Sequence, residues 1–252
     1  MGTALITGAS AGLGEEFAWQ LATVRHNLVL VSRDEERLDQ VASKIRSAAG
    51  VRVEVLAADL SKERELNRVA ARLRAPTHPV GLLVNNAGFG LRESFLDSSI
   101  KDLAAMEKVM IHAVMVLSHT AARSMVGRGR GAIVNVSSIA AHLASGIYSA
   151  DKAWVKTFTE GLAVELKGTG VTATALLPGL TRTEFHARAG LDYLSYPSIA
   201  WLSAADVVSR ALADVRRGAV LSTPSLRYGL IGQVARLLPR FIIRGLSQVE
   251  DR

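Results

Sequence analysis

The sequence predicts an α/β fold in which helices cover both faces of a doubly wound parallel sheet. Two observations carry this prediction. Short β-branched or leucine-rich segments alternate with longer segments of helical period, and the short segments are apolar almost throughout. A strand covered on both faces has no solvent-facing side, so its side chains are apolar continuously rather than alternately. The predicted strands are residues 3–7, 27–32, 52–57, 81–85, 132–137, 172–177 and 219–222.

Composition favours one domain over residues 1–252. Hydrophobic side chains make up 49% of the chain and charged ones 21%, which is enough to bury a core, and no proline- or serine-rich linker divides it. The lack of cysteine excludes disulfides and thiolate metal sites, so we expect no metal and a reducing, cytoplasmic environment. No segment approaches 18 consecutive apolar residues, so we expect no membrane-spanning helix.

The net charge of +7 suits an anionic small ligand. The basic residues are dispersed along the chain, and no nucleic-acid-binding motif is present. We therefore predict a small-molecule ligand and no nucleic-acid partner.

A glycine-rich turn follows the first predicted strand and opens a helix. Glycines let the backbone approach a pyrophosphate, whose charge meets the free N–H groups and the positive dipole end of the helix. An ordinary glycine turn is the alternative, but the position directly after strand one favours a dinucleotide. The residues expected to contact it are Gly8, Ser10, Gly12, Leu13 and Gly14.

Arg33 follows the second strand, where the adenosine ribose lies in a dinucleotide-binding fold. A carboxylate there would accept from a free 2′-hydroxyl, whereas an arginine can bind a 2′-phosphate. We therefore predict NADP(H) as the cofactor, with NAD(H) as the less favoured alternative. In a second interpretation, Arg33 merely begins a solvated helix that Asp34 caps.

Asp59 and Leu60 end the third strand and are expected to contact the adenine. The alternative is that Asp59 or Ser61 only caps the next helix.

The motifs together resemble the short-chain dehydrogenase/reductase family over nearly the whole chain, weakening after about Thr223. They are Thr7-Gly-x-x-x-Gly-x-Gly14, Asp59-Leu60, Asn85-Asn86-Ala87-Gly88, Ser137-Ser138, Tyr148-x-x-x-Lys152 and Pro178-Gly179, in that order. The resemblance implies a seven-stranded Rossmann-type domain that forms a homodimer or homotetramer. It also implies that Asn86 holds the cofactor ribose and Thr183 the nicotinamide carboxamide. Ala11 stands where some NADP-binding members carry a basic residue, so the phosphate assignment depends on Arg33.

Tyr148 and Lys152 are the candidates for proton transfer to or from the substrate oxygen, and both are expected to contact the cofactor. A free phenol has a pKa near 10, and a lysine four residues along the same helix face can place its ammonium near the phenol oxygen. At ~4 Å and an effective dielectric of ~20, that charge contributes about 4 kcal/mol and brings the phenol towards neutral pH, before desolvation acts in the other direction. Taken alone, the Tyr-x-x-x-Lys pair would be better explained as a surface helix pair, and the other motifs favour the catalytic interpretation.

Ser138 is the candidate to hydrogen-bond the substrate carbonyl and stabilise the developing oxyanion, with Ser137 as its rival. It precedes Tyr148 by ten residues, which is fewer than the family usually has.

Met110 marks a departure from the family. Members usually carry an Asn in the helix before the serines, where it steadies a water that links the lysine to solvent, and an ungapped alignment places Met110 there. A thioether cannot reproduce the donor and acceptor of an amide. Either the relay runs differently, with His112 helping, or turnover is slow; the other interpretation of His112 is a helix-packing residue.

The family resemblance implies that residues 184–203 form a substrate lid, and the sequence predicts a C-terminal amphipathic extension over residues 224–252. The apolar and aromatic content of the lid, with Phe89, suggests a lipid, steroid-like or aromatic ketone substrate, unless these side chains pack on the body. In the extension, arginines recur every four residues beside apolar positions, but Pro239 interrupts the pattern. We therefore expect it to pack on the body or on a second subunit rather than on a membrane.

The sequence thus predicts an oxidoreductase that transfers a hydride between NADP(H) and a carbonyl or alcohol group. The alternative is a cofactor-bound sensor or scaffold with weakened catalysis, which Met110 and the short interval before Tyr148 suggest. The intact tyrosine, lysine and serines argue against it.

Overall fold

A seven-stranded parallel sheet forms the centre of the molecule, in the order β3-β2-β1-β4-β5-β6-β7. The structure, a computed structural model, describes residues 2–185 and 196–247. The strands are β1 (Thr3–Thr7), β2 (Asn27–Ser32), β3 (Val53–Ala57), β4 (Val80–Asn85), β5 (Gly131–Val136), β6 (Val171–Leu176) and β7 (Leu221–Ser222). The predicted fold class is confirmed, and each predicted strand boundary lies within two residues of the observed one.

Helices cover both faces of the sheet. They are α1 (Gly12–Thr23), α2 (Glu35–Ala49), α3 (Glu63–Arg74), α4 (Ile100–Glu107), α5 (Ala113–Val126), α6 (Gly146–Glu165), α7 (Ala204–Arg216), α8 (Leu226–Leu237) and α9 (Arg240–Ser247). A π-helical turn, Lys108–His112, joins α4 to α5, and short 3₁₀ turns occupy Ile139–His142 and Ser198–Ala200.

The sequence offered Asp34 as the cap of one helix and Asp59 or Ser61 as the cap of the next. Asp34 does cap α2, because its carboxylate accepts a hydrogen bond from the Arg37 N–H at 3.0 Å. Neither Asp59 nor Ser61 caps α3, since Lys62 precedes that helix and the Asp59 carboxylate instead accepts from the Ser61 N–H at 3.0 Å.

Apolar side chains fill the space on each side of the sheet. On one side, α1, α2 and α7 contribute Phe17, Leu38 and Val207 to a continuous core. On the other, α3 and α5 contribute Leu66 and Leu117. Each large side chain buried in this way stabilises the fold by about 1.5–3 kcal/mol relative to exposure.

Among the described residues, one helical stretch, Ile100–Val126, is long and apolar enough to cross a membrane. Half of its apolar window is buried, and its second half packs on α3, β4 and β5. It is therefore a core element of the fold.

The strand order reverses beside β1. This strand lies between β2 and β4, so the chain builds the sheet outwards in one direction and then in the other. In doubly wound sheets, ligands bind at the carboxyl ends of the strands at this point. The loops after β1, β2, β3, β4 and β5 therefore lie where a ligand is expected.

Candidate active site

An open cleft lies at the carboxyl ends of the strands, where the strand order reverses. It is lined by every predicted site residue except Gly14: Gly8, Ser10, Gly12, Leu13, Arg33, Asp59, Leu60, Asn86, Ser138, Tyr148, Lys152 and Thr183. Residues from seven segments of the chain thus meet at one edge of the sheet, as the positions after the predicted strands indicated.

Gly14 lies beneath the turn and allows its close packing. A Cβ atom built on Gly14 would lie 2.1 Å from the Gly8 carbonyl oxygen, so only glycine fits. Gly8 itself has a φ of +66°, which disfavours a side chain. No side chain among the described residues caps the start of α1, whose first residues, Gly12 and Leu13, line the cleft.

The glycine turn is held in place from two sides. The Asn86 side-chain amide donates to the carbonyl oxygens of Thr7 and Gly8, at 3.0 and 3.3 Å. The Ser32 hydroxyl, at the end of β2, donates to the Ser10 hydroxyl at 2.9 Å. Asn86 therefore positions the turn, a contact that sequence reasoning did not predict, as well as lining the cleft.

Arg33 and Asp59 lie close together at the adenosine end of the cleft. Burial disfavours the charged form of Asp59, but hydrogen bonds from Ser61 and the nearby Arg33 charge outweigh it and hold the pKa of Asp59 below its ordinary value. Arg33 is exposed at the rim.

A salt bridge that the sequence did not reveal spans the mouth of the cleft. The Arg37 guanidinium, on α2, donates to both carboxylate oxygens of Glu184 at 2.7 and 3.0 Å. The two residues are 147 positions apart, so no local pattern could have paired them.

The two candidate serines have different partners. The Ser138 side chain lies near enough to the Tyr148 phenol to lower its pKa, whereas the buried Ser137 hydroxyl donates to the Lys152 carbonyl oxygen at 2.6 Å. The structure therefore brings Ser138, and not Ser137, to the tyrosine.

Lys152 lies against the Tyr148 ring. Its ammonium is 5.6 Å from the ring centroid and donates to the Val136 carbonyl oxygen at 2.8 Å. Burial lowers the pKa of Lys152 to about 8, although the neighbouring Asp151 carboxylate opposes this change.

Burial raises the pKa of Tyr148 above its ordinary value, and the nearby Ser138 side chain offsets only part of that effect. The prediction that Lys152 brings the phenol near neutral pH is therefore wrong for this arrangement. Desolvation of the phenolate outweighs the attraction of an ammonium that is itself bound to a backbone carbonyl.

Met110 lies in the π-helical turn, and its side chain and that of Lys152 both lie close to Gly88. It is 1% exposed, and a Cβ atom built on Gly88 would lie 3.6 Å from the Lys152 Nζ and 3.7 Å from the Met110 Sδ. His112 is exposed at the end of the turn, so the interpretation of it as a helix-packing residue is wrong. No hydrogen bond joins it to Lys152 among the described residues, and its part in a relay stays a prediction. The helix is locally distorted, but the distortion leaves His112 on the solvent side.

The beginning of the predicted lid lines the cleft through Glu184 and Phe185, and the Phe185 ring lies 5.7 Å from the Tyr148 ring. Phe89 lines the same region. Residues 186–195 of the lid lie outside the described residues. Further along, the buried Trp201 contacts Tyr196 edge-on at 6.4 Å, so part of the aromatic content of the lid packs on the body.

The C-terminal extension packs on the body, as predicted, up to Ser247; residues 248–252 lie outside the described residues. A Cβ atom built on Gly179 would lie 2.2 Å from the Tyr228 ring, so the ring rests directly on the backbone of this cleft-lining glycine. The Tyr228 hydroxyl donates to the Ala200 carbonyl oxygen at 2.8 Å.

Known proteins resemble this chain in sequence and in fold. The model of the short chain dehydrogenase family matches residues 2–193. Sulfoacetaldehyde reductase 2 of Chromohalobacter salexigens is 35% identical over 72% of this chain and 73% of its own length.

Two solved structures are similar along most of the chain. A short-chain dehydrogenase from Sphingobium yanoikuyae in complex with NADPH is 34% identical, with a TM-score of 0.86, and the match covers 94% of each chain. The bulky-bulky ketone specific alcohol dehydrogenase from Comamonas testosteroni is 32% identical, with a TM-score of 0.82, over 94% of this chain and 92% of that one.

Proposed function

Because the chain belongs to the short-chain dehydrogenase family of oxidoreductases, we propose that it is an NADP(H)-dependent reductase of apolar ketones. The observation that carries this proposal is the meeting of Ser138, Tyr148 and Lys152 in the cleft. The whole chain is proposed to act as one cytoplasmic domain in a homodimer or homotetramer.

The cleft fits a phosphorylated dinucleotide. The glycine turn and the uncapped start of α1 present backbone N–H groups to a pyrophosphate, and the packing around Gly14 leaves no room for a side chain there. Arg33 supplies a cation where a 2′-phosphate would lie, and Asp59, Leu60, Asn86 and Thr183 line the remainder of the cleft. The similarity to a dehydrogenase in complex with NADPH supports the phosphorylated form.

NADPH, when bound, supplies the hydride. The Tyr148 Oη donates a proton to the substrate oxygen, because its raised pKa keeps the phenol protonated at neutral pH. The Ser138 Oγ, which lies near that phenol, donates to the same substrate oxygen and stabilises negative charge on it. The Lys152 ammonium stabilises the phenolate that remains after the proton has left.

Protonated Tyr148 favours the reductive direction. A general base for alcohol oxidation must lose its proton near the working pH, and burial opposes that loss here. We therefore assign reduction as the faster direction at neutral pH.

The substrate end of the cleft is apolar. Phe89 and Phe185 line it, and Phe185 lies against the Tyr148 ring where the carbonyl would be held. Similarity to an alcohol dehydrogenase described as specific for bulky-bulky ketones supports a substrate with large groups on both sides of the carbonyl.

A ketone panel tests the proposal. The purified chain is incubated with NADPH or NADH and with small dialkyl, aryl, and bulky cyclic ketones, while reduced cofactor is followed by its absorbance. We expect NADPH oxidation that depends on the bulky ketones. The Tyr148→Phe variant is the matched control, because it should bind NADPH and consume very little. Cofactor binding without consumption across the whole panel would contradict a reductase and favour a cofactor-bound sensor.

A further inference from the structure

Helix α8 has apolar side chains on two faces. Its inner face packs on the body through Tyr228, Gly232 and Ala235. Its outer face carries four exposed apolar side chains at intervals of three or four residues, so that they lie in one row. They are Leu226, Leu230, Val234 and Leu237, which are 90%, 67%, 47% and 83% exposed. Packing on the body accounts for only the first of these two faces.

A further exposed apolar side chain lies beyond Pro239. Phe241, four residues after Leu237, is 66% exposed at the start of α9. We call these five side chains the outer stripe. Exposed apolar side chains scattered singly need no explanation, but a contiguous row of this kind marks a contact surface.

Arginines accompany the outer stripe. Arg236, Arg240 and Arg244 recur at four-residue intervals and are exposed. The sequence from Thr223 to Ser247 contains no Asp or Glu. The described part of this segment thus combines large apolar side chains with positive charge, and the first carboxylates after it in the sequence are those of Glu250 and Asp251.

We propose that the outer stripe and these three arginines bind an anionic lipid surface. The apolar row can enter the boundary between headgroups and acyl chains, while the guanidinium groups bind lipid phosphates. Helices of 12 and 8 residues are too short to span a bilayer, so α8 and α9 lie along its surface.

A second copy of the chain fits this surface less well. In a two-fold contact the same patch meets itself, so the arginines of one copy would approach those of the other with no carboxylate in the segment to pair them. Like charges brought together at an interface oppose association. An anionic lipid surface supplies the charge that the patch lacks.

The lipid surface would lie beside the cleft. The inner face of α8 places Tyr228 on Gly179, which lines the cleft, while the outer stripe faces away on the same helix. At the start of α8, Arg227 donates to the carbonyl oxygen of Ile199, whose side chain is also 71% exposed. An apolar molecule dissolved in the lipid would thus be brought close to the cleft rim.

Vesicle co-sedimentation of the full chain tests this inference. The probes are vesicles of phosphatidylcholine alone and vesicles of phosphatidylcholine mixed with phosphatidylglycerol, each at low and at raised salt. We expect binding to the anionic vesicles that weakens with salt. Leu230→Ser and Leu237→Ser should each lower the partition coefficient about tenfold, and Arg236→Gln and Arg240→Gln about fivefold each at low salt.

Matched controls carry the same changes elsewhere on the surface. Val164→Ser removes an apolar side chain that is 75% exposed on α6, and Arg68→Gln removes an exposed cation on α3. Both should partition like the unaltered chain. Melting temperature and NADPH titration establish that each variant is folded, and none of these residues lines the cleft.

Three results would overturn the inference. These are a failure of the unaltered chain to bind anionic vesicles, binding that the leucine variants leave unchanged, and dissociation of an oligomer by Leu230→Ser in sedimentation equilibrium. The last would assign the outer stripe to a contact between copies. Each of them is independent of ketone reduction, so the reductase proposal is tested separately.

Discussion

The Lys152 ammonium lies 5.6 Å from the centroid of the Tyr148 ring and donates a hydrogen bond to the Val136 carbonyl oxygen. This position leaves burial as the dominant influence on the tyrosine, whose pKa is raised, and on the lysine, whose pKa is lowered to about 8. The pair is therefore arranged as a protonated phenol beside a cation that can stabilise the phenolate once the proton has been donated.

Tyr148→Phe should lower kcat by about 10²–10⁴ while cofactor affinity stays nearly unchanged, because the substitution removes one hydroxyl and little volume. Steady-state kinetics with a reactive ketone and fluorescence titration with NADPH measure the two quantities. Turnover at the original rate in the Phe variant would show that another group donates the proton.

The kcat/KM for reduction should fall as pH rises through about 8, where Lys152 loses the charge that stabilises the phenolate. The Asp151 carboxylate raises the pKa of Lys152, so Asp151→Asn should move this fall to lower pH. The pH profiles of the two proteins are compared under identical buffers. Superimposable profiles would exclude Lys152 as the titrating group.

Asp151→Asn should also stabilise the fold at pH 8. Burial raises the pKa of Asp151 to about 6, and its Oδ2 is buried without a hydrogen-bond partner among the described residues. A carboxyl whose pKa is raised on folding favours the folded state when protonated, and this contribution is lost as pH rises from about 4 through 6.

We expect a gain of about 1 kcal/mol at pH 8, because the substitution removes an unpaired buried carboxylate but also the negative charge beside Lys152. The gain should vanish at pH 4. Urea unfolding at both pH values measures it, with Asp39→Asn, at an exposed position of α2, as the matched control. Equal gains at the two pH values would argue against a titration effect.

Arg33→Ala should weaken NADPH binding about ten- to a hundredfold and leave NADH binding nearly unchanged, since a charge-assisted hydrogen bond to a phosphate contributes about 1.5–3 kcal/mol. Arg37→Ala is the matched control, because the Arg37 guanidinium is bound by Glu184. Titration of each protein with both cofactors separates the cases. Equal losses for NADPH and NADH would mean that Arg33 does not recognise the phosphate.

Met110→Asn should raise kcat and lower stability. The amide would supply a donor and an acceptor for a water beside Lys152, but it would enter a pocket closed around a thioether and cost about 1–3 kcal/mol. His112→Ala should change neither quantity, because His112 is exposed. A stable Asn variant that binds NADPH normally and shows an unchanged kcat would contradict a broken relay at this position.

Local sequence patterns determined the architecture. The continuous apolar runs marked all seven strands, and the glycine turn after β1 marked the cleft, because strand burial and backbone approach each depend on neighbouring residues. The parallel sheet then required the segments after β1, β2, β3 and β5 to meet at one edge. For this reason the candidate residues at the strand ends were expected in the cleft, whereas Asn86 and Thr183 were assigned through the family resemblance.

Features of the site that depend on residues far apart in the sequence were decided by the tertiary structure. Ser137 and Ser138 are adjacent and alike in sequence, and only the packing of α6 gives one to Tyr148 and the other to the Lys152 carbonyl. Spacing placed Lys152 near Tyr148 but could not show that desolvation outweighs its charge, because burial is a property of the whole fold. The apolar residues on the outer face of α8 have the same helical spacing as residues of a core face. Only the tertiary structure shows which face of α8 packs on the body and which stays exposed.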